Sequence, residues 1–198
     1  MYLHKLLRVF ALLSLAMLAA CGEPRLPSPF KANDVSAQYA AADFHLADPA
    51  GKLRSMADFR GKVTVLFFGY THCPDVCPTT LADMAQVMRL LDKQAEQVQV
   101  LFVTLDPERD TAAMLAQYVP AFHPSFMGLR GDAQATAEAA RAFGIGYQKQ
   151  VNKSGYTLDH TAGSYLIGAN GKTVLLAPYA QRPELLVQDI RLLLATTR

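Results

Sequence analysis

Apolar residues along the chain follow two patterns that predict buried strands and an intervening helix. Continuous apolar, β-branched and aromatic runs at Val63–Phe68 and Val98–Thr104 are typical of strands buried on both faces of a parallel sheet. Between them, apolar side chains recur at helical spacing from Leu81 to Leu91, with Met84 and Met88 on the core-facing stripe. This order predicts a βαβ unit whose first strand is central in the sheet.

The remaining segments predict the rest of one domain. The pattern indicates a short hairpin within 44–53, helices at Ala112–Val119 and Ala133–Phe143, a hairpin formed by Gly163–Gly168 and Thr173–Ala177, and a closing amphipathic helix through Leu186, Ile190, Leu193 and Leu194. A Cys-bearing loop opens the first helix of the βαβ unit. This arrangement favours an α/β fold, a thioredoxin-like sandwich with a central mixed sheet flanked by helices.

The amino terminus has the pattern of a secretory leader. A start with two cations precedes the apolar run Val9–Ala20, which is too short to span a bilayer comfortably. The run ends at Leu18-Ala-Ala-Cys21, which resembles a bacterial lipobox whose Cys is lipidated; an ordinary signal peptide followed by a chance Cys is the alternative. We therefore predict a lipoprotein signal peptide at 1–20, a Pro-containing lipid-anchored tether at 21–40 and the folded domain at 41–198.

Charge adds little beyond the leader. Lys and Arg total 19 against 17 Asp and Glu, and the excess of two lies in the leader. The whole chain carries a formal net charge of +2, the part from residue 21 onward is neutral, and the absence of a basic block argues against nucleic acid as a partner. Acyl chains on Cys21 would hold the domain at a membrane of the bacterial cell envelope, facing the periplasm or the outer surface, and Gly22 leaves inner or outer membrane open.

Two cysteines remain after Cys21, and their spacing suggests chemistry. Cys73 and Cys77 are separated by three residues, and a crosslink over so short a loop would stabilise the fold little. Outside the cytosol they can form a disulfide. Pro78 suits the first helical position, so Cys77 is expected at or beside the N-cap, where the helix dipole favours a reactive thiolate. The two thiolates are soft ligands suited to Cu(I).

An imidazole is the natural third ligand for such a pair, and the sequence offers several. His72 adjoins Cys73, whereas His45 and His123 are distant from the cysteine motif. His160 precedes the strand at 163–168, and in a thioredoxin-like fold its loop can face the cysteine loop. Spacing alone does not decide among these histidines.

Acidic residues near the motif have two interpretations. Asp75 between the cysteines either orients the loop or is a solvated turn residue, and Asp106 at the end of the second strand is a possible partner for a ligand or a thiol. For Asp110 and Thr111 we favour a strand-to-helix turn with an N-cap.

Three segments, Thr71–Leu81, Val103–Thr111 and Asp159–Thr161, resemble in order and spacing the Sco/SenC family of copper chaperones. The resemblance implies one copper ion per chain, as Cu(I) or Cu(II), held by Cys73, Cys77 and His160. It implies a role in assembling the copper site of cytochrome c oxidase, as copper donor or as thiol-disulfide reductant, with a copper-accepting oxidase subunit and other periplasmic copper carriers as partners. Two features depart from the family: Thr161 stands where Ser is frequent, and the predicted anchor is lipid, whereas many members use a single transmembrane helix.

Functions without copper are the alternatives. A peroxiredoxin-like peroxidase would place Thr ahead of its attacking Cys, yet Tyr70 and Pro74 stand three residues before the two cysteines. A thioredoxin-like thiol-disulfide oxidoreductase has two residues between its cysteines rather than three. A closed structural zinc site needs four ligands, and three strong candidates are present.

Overall fold

A mixed six-stranded sheet forms the centre of the protein. The computed structural model describes residues 28–153 and 155–196. The sheet has the strand order β1-β10-β9-β4-β5-β6. The strands are β1 (Asn33–Asp34), β2 (Leu46–Ala47), β3 (Leu53–Arg54), β4 (Val63–Gly69), β5 (Val98–Thr104), β6 (Met127–Leu129), β7 (Tyr147–Asn152), β8 (Gly155–His160), β9 (Gly163–Ile167) and β10 (Thr173–Pro178); the α-helices are α1 (Ser36–Tyr39), α2 (Val76–Leu91), α3 (Ala112–Tyr118), α4 (Ala133–Ala142) and α5 (Pro183–Ala195). The predicted α/β sandwich is confirmed.

Strand β4 occupies the interior of the sheet, as its apolar run predicts. All seven of its residues are buried, and it pairs in parallel with β5 and antiparallel with β9. The register of β4 and β5 runs from Val63 opposite Val98 to Gly69 opposite Thr104. Because the two strands end together, the segments that follow them lie side by side at the carboxyl edge of the sheet, where open α/β sheets place their ligands.

Helix α2 begins earlier than its apolar stripe suggests. It starts at Val76, directly after the cysteine loop has turned, and buries Leu81, Met84 and Met88 in the core. The two methionines are therefore core residues, as the helical spacing predicts. Helix α2 packs against α5, which also contacts β4, while α3 packs against β6. Within 28–153 and 155–196, no helix is long and apolar enough to cross a membrane.

The segment before residue 40 is partly incorporated into the domain, which corrects the predicted tether. Strand β1 pairs with β10, and the Tyr39 ring meets Tyr165 edge to face at 5.6 Å between centroids. The buried Asp189 of α5 accepts hydrogen bonds from the backbone N–H groups of Lys31 and Ala32, at 2.7 and 2.8 Å. A tether could thus extend no further than about residue 30. The predicted leader, 1–20, and Cys21 lie outside the described residues.

A separate hairpin, formed by β7 and β8, was not predicted. The two strands pair antiparallel from Tyr147 opposite His160 to Asn152 opposite Gly155, and they form a sheet of their own. Residues 147–150 of β7 are exposed, so no alternation of buried and exposed side chains marks the strand. The hairpin turns near Gly155, whose φ of 124° is a conformation that glycine adopts most readily.

Candidate metal and thiol site

The two cysteines differ in their environment although four positions separate them. Cys77 is fully buried at the second position of α2, whereas Cys73 is half-buried in the preceding loop. The backbone N–H of Cys77 donates a hydrogen bond to Cys73 Sγ at 3.4 Å, and both thiols are free. The first turn of the helix therefore positions the sulfur of the more accessible cysteine.

Gly69, the last residue of β4, makes room for the buried thiol. A Cβ atom at this position would lie 2.8 Å from Cys77 Sγ and 2.9 Å from the Phe102 ring. Distances this short are not tolerated between packed atoms, so only glycine allows the sulfur to lie against the strand end. The signal available in the sequence was the glycine that ends an otherwise bulky apolar run.

Burial, rather than the helix dipole, dominates the acid-base behaviour of Cys77. Removal from water raises the pKa of the Cys77 thiol well above its ordinary value, and nearby Cys73 and Asp110 act in the same direction. A hydrogen bond from the backbone of Tyr70 opposes the rise without cancelling it. Cys77 was expected at or beside the N-cap. Asp75 occupies the N-cap and Cys77 lies two residues further on, inside the core, where burial opposes the reactive thiolate that the helix terminus would favour.

His160 faces the buried cysteine from the end of β8. Its Nε2 lies 3.9 Å from Cys77 Sγ, and its Nδ1 lies 3.0 Å from the backbone carbonyl oxygen of Thr161. A carbonyl only accepts hydrogen bonds, so Nδ1 carries the proton and Nε2 presents its lone pair towards the sulfur. The ring packs edge-on against Phe67 and Tyr70. His160 thus lies in a strand, not in the predicted loop.

An open cleft of about 370 Å³ lies between the cysteine loop and the hairpin. Such a cleft admits a small ligand or a segment of a partner to Cys73 and His160. Its walls are formed by Tyr70, Cys73, Pro74, Asp75, Val76, Thr157, Leu158, Asp159, His160 and Ala162.

The donor atoms come close without forming a finished metal cage. Within the described residues, no group of three His, Cys, Asp or Glu side chains is arranged to hold a metal ion. The 3.9 Å between Cys77 Sγ and His160 Nε2 is nevertheless close to the separation of two ligands of one ion. Atoms that bond one ion at about 2.0–2.3 Å lie roughly 3.6–3.8 Å apart at tetrahedral or trigonal angles. Cys73 on the wall of the same cleft is the third donor of the predicted set.

A stacked cluster fastens the His160 hairpin to the end of β5. The guanidinium of Arg109 lies 3.6 Å above the Tyr156 ring and donates to the Tyr156 carbonyl at 3.0 Å. The buried Asp106 accepts a hydrogen bond from Arg109 at 2.5 Å and one from the Tyr156 hydroxyl at 2.7 Å. The described hydrogen bonds of the Asp106 side chain thus hold the hairpin that carries His160. They do not contact Cys73, Cys77 or His160 directly.

Asp110 has a different role from its predicted one. Thr111 caps α3 by accepting from the Met114 N–H at 3.2 Å, as expected. Asp110 instead is completely buried and accepts hydrogen bonds from the Thr71 N–H, the Thr71 hydroxyl and the Thr104 hydroxyl, at 2.9, 2.5 and 2.5 Å. It joins the cysteine loop to the end of β5, a connection between distant segments that sequence spacing does not reveal.

The other candidate residues lie around this centre. His45 is exposed beside β2, and His123 lies 2.9 Å from the Ser125 hydroxyl, away from the cysteines in its described contacts. His72 is exposed and contacts Thr71 and Asp110. Asp75 is an exposed residue of the cleft wall and forms no capping hydrogen bond with its side chain.

Fold and site together define a thioredoxin-like domain in which a Cys-x₃-Cys helix start faces a histidine from a separate hairpin. The SCO1/SenC family model matches residues 32–195, and the chain belongs to this family. The chain is 39% identical over 160 residues to the bovine protein described as "Protein SCO2 homolog, mitochondrial", covering 79% of this chain and 60% of that protein.

Solved structures show the same architecture. The copper-bound structure of Bradyrhizobium japonicum ScoI is 39% identical, with a TM-score of 0.70, covering 75% of this chain and 96% of that one. The solution structure of apo Sco1 from Thermus thermophilus is 38% identical, with a TM-score of 0.73, covering 86% of this chain and 99% of that one. The chain spans about 60% of the length of the bovine relative.

Proposed function

We propose that this protein binds one copper ion through Cys73, Cys77 and His160 and serves the assembly of the copper site of cytochrome c oxidase. The observation that carries the proposal is the 3.9 Å approach of His160 Nε2 to Cys77 Sγ, from two segments 83 residues apart. The Nδ1 hydrogen bond to the Thr161 carbonyl supports it, because metal-binding histidines are oriented in this way by their second nitrogen.

The donor set suits both oxidation states of copper. Two cysteine sulfurs satisfy soft Cu(I), and the imidazole adds the nitrogen ligand that Cu(II) prefers. Family membership and the copper-bound ScoI structure support copper as the ion. Both thiol protons leave when the sulfurs bind copper, so uptake releases protons to solvent.

The open cleft and the family support delivery of the ion to an oxidase subunit. Cys73 and His160 line a cleft that solvent and a partner can reach, while Cys77 remains buried behind them. A copper ion held by one buried and two accessible donors can be transferred by exchanging the accessible ligands first. Other periplasmic copper carriers are the proposed source of the ion.

Reduction of a partner's disulfide is a second function that the same residues support. The half-buried Cys73 can attack a partner disulfide, and Cys77, whose N–H lies 3.4 Å from Cys73 Sγ, is close enough to complete the exchange. Two thiols of this protein become the Cys73–Cys77 disulfide, and the partner disulfide accepts two electrons and two protons to give two thiols. Copper cannot bind while that disulfide is present.

The location of the protein rests on its predicted leader. We propose that 1–20 is removed and that lipid on Cys21 anchors the domain in the bacterial envelope, on the periplasmic side or at the outer surface. Growth with labelled palmitate tests this, and the label should be lost in Cys21→Ser.

Copper titration tests the ligand set. Reduced protein should bind one equivalent of Cu(I) tightly, and Cys73→Ser with Cys77→Ser should abolish binding at that affinity. His160→Ala should retain substantial Cu(I) but lose most Cu(II), seen as loss of the sulfur-to-copper charge-transfer band, since nitrogen matters more to the harder ion.

Controls separate ligand loss from misfolding. His123→Ala replaces a histidine with no described contact to the cysteines and should leave both copper states unchanged. An unaltered Cu(II) spectrum in His160→Ala would contradict the ligand assignment. In cells lacking the gene, restoration of oxidase assembly by added copper would support delivery, and restoration by added reductant would support the disulfide role.

A further inference from the structure

A second cleft adjoins the cysteine loop and shares no lining residue with the first. Its volume is about 370 Å³. It is lined by Thr71, His72, Met114, Gln117 and Tyr118. The proposed copper site uses none of these side chains, although His72 immediately precedes Cys73 in the chain.

The hydrogen bonds of Thr71 fix which nitrogen of His72 is free. Asp110 accepts from both the N–H and the hydroxyl of Thr71, and also from Thr104, as an acceptor-only carboxylate does. The Thr71 hydroxyl has one proton and gives it to Asp110, so its oxygen is an acceptor for His72 Nδ1, 3.1 Å away. His72 Nδ1 therefore donates to Thr71, and Nε2 has no partner among the described contacts. His160 likewise uses its Nδ1 for the hydrogen bond to Thr161.

Met114 supplies a second soft donor to this cleft. It lies in α3, its side chain is partly exposed, and it lines the cleft together with His72. A thioether and a neutral imidazole are ligands that bind Cu(I) in preference to harder ions. Neither donor is an anion, so an ion here would be held weakly.

The electrostatic surroundings favour a cation. The described residues that line the cleft include no Lys or Arg. Below it, the buried Asp110 carboxylate lies 3.6 Å from His72 Nδ1. Burial raises the pKa of Tyr118 to about 12, so its phenol stays neutral and adds no competing charge. The cleft thus combines soft donors with one nearby negative charge.

We propose that His72 Nε2 and the Met114 thioether form a second, weak Cu(I) site that loads the cysteine pair. This inference rests on the proposed copper function of Cys73, Cys77 and His160. His72 and Cys73 are consecutive residues, so the two proposed sites adjoin along the cysteine loop. Transfer is an exchange of ligands without electron transfer: Cu(I) leaves imidazole and thioether for two sulfurs, and their protons go to solvent.

Binding to a variant without the cysteine site tests the proposal. The full chain carrying Cys73→Ser and Cys77→Ser is titrated anaerobically with Cu(I) supplied as its acetonitrile complex, while the ¹³C-labelled methionine methyl groups and histidine rings are followed by NMR. The Met114 methyl and His72 ring signals should shift together and saturate at one equivalent. Adding Met114→Leu or His72→Ala should weaken this binding at least about tenfold.

Matched controls and a kinetic measurement complete the test. Met127→Leu and His123→Ala, each added to the same double-cysteine variant, should leave the titration unchanged. In protein with intact cysteines, Met114→Leu should slow Cu(I) loading of the Cys73–Cys77 pair at least threefold without altering the final occupancy of that pair.

The outcomes separate this inference from the copper function itself. Unshifted Met114 and His72 signals, or loading rates identical to those of the unmodified protein, would overturn the second site. Failure of the cysteine pair to bind copper would instead overturn the proposed function, and it would be detected in the unmodified protein rather than in the variant that lacks Cys73 and Cys77.

Discussion

The two halves of the proposed copper site are attached to the molecule in different ways. The cysteine half follows the central strand β4, and Cys77 is enclosed by Gly69 and the aromatic rings behind it. The histidine half is the end of a two-stranded hairpin outside the main sheet, with most of β7 exposed. Rigid packing fixes one donor, whereas a small polar and aromatic cluster positions the other.

This difference suggests a division of roles. A sulfur embedded in the core holds its position with or without copper, so it can contribute a constant part of the copper affinity. An imidazole on a hairpin fastened through Arg109, Asp106 and Tyr156 can be withdrawn at lower cost, because fewer buried contacts are lost. Changes on the two sides should therefore have separable effects on stability and on copper.

The largest expected difference is in thiol reactivity. In reduced, copper-free protein, Cys73 should be alkylated by iodoacetamide at least roughly two orders of magnitude faster than Cys77 at pH 7, because burial shields Cys77 and raises its pKa, and each unit of rise lowers the thiolate fraction tenfold. Mass spectrometry of timed samples measures this. Equal rates would show that the cysteine half is not enclosed.

The same pKa shift predicts how stability depends on pH. Folded Cys77 retains its proton to higher pH than the unfolded chain does, so the stabilisation is complete below about pH 8.5 and declines as the pH rises above it. Urea unfolding at pH 7.5 and 9.5 should show the decline, and Cys77→Ala should reduce it.

Gly69→Ala tests the packing of the cysteine half. The added methyl group would lie 2.8 Å from Cys77 Sγ, so we expect a loss of about 1–3 kcal/mol in the free energy of unfolding together with weaker binding of both copper states. Gly146→Ala is the matched control, because its Cβ would meet only Thr161 Oγ1 at 3.7 Å. A stable Gly69→Ala protein with unchanged copper affinity would refute the tight fit.

Arg109→Lys tests the attachment of the histidine half. Lysine keeps the charge but lacks the planar group that stacks on Tyr156, so the hairpin should loosen. We expect Cu(II) affinity to fall about tenfold, Cu(I) affinity to fall much less, and the His160 ring signals to broaden. Arg141→Lys in α4 should change none of these. Equal weakening of both oxidation states would mean that Arg109 supports the whole site.

The smallest effect is expected at the outer side of the same hairpin. Lys149 and Glu108 form an ion pair of 2.7 Å between two largely exposed side chains. Such pairs contribute about 0.2–1 kcal/mol and are screened by salt. Lys149→Gln should therefore alter Cu(II) affinity less than about threefold, as measured by competition titration at low and high ionic strength. A change as large as that of Arg109→Lys would place the main attachment at this ion pair.

Sequence patterns predicted the cysteine half well for a physical reason. A run of buried β-branched and aromatic residues identifies a central strand locally, and the βαβ order then fixes the edge at which Cys73 and Cys77 emerge. The spacing of Met84 and Met88 likewise assigns them to the core. These inferences need only neighbouring residues.

The residues that were missed depend on partners distant in sequence. Asp110 resembles a capping residue until the loop containing Thr71 folds against it. Gly69 is required only because Cys77 returns to the strand end, and the side chains of β7 at 147–151 are all exposed and mark no buried face. The placement of His160 in a strand followed from that hairpin, so spacing alone could not supply it.

The hydrogen bonds of Asp189 to Lys31 and Ala32 limit how far the domain could travel from a membrane. Ten residues lie between Cys21 and Ala32, so the chain makes eleven Cα-to-Cα steps of at most about 3.6 Å each, which amounts to about 40 Å. An unattached tether from Cys21 to residue 40 would have allowed a maximum extension more than one and a half times as long. With lipid on Cys21, the domain would therefore meet only recipients in its own membrane or close to its surface, at a high local concentration.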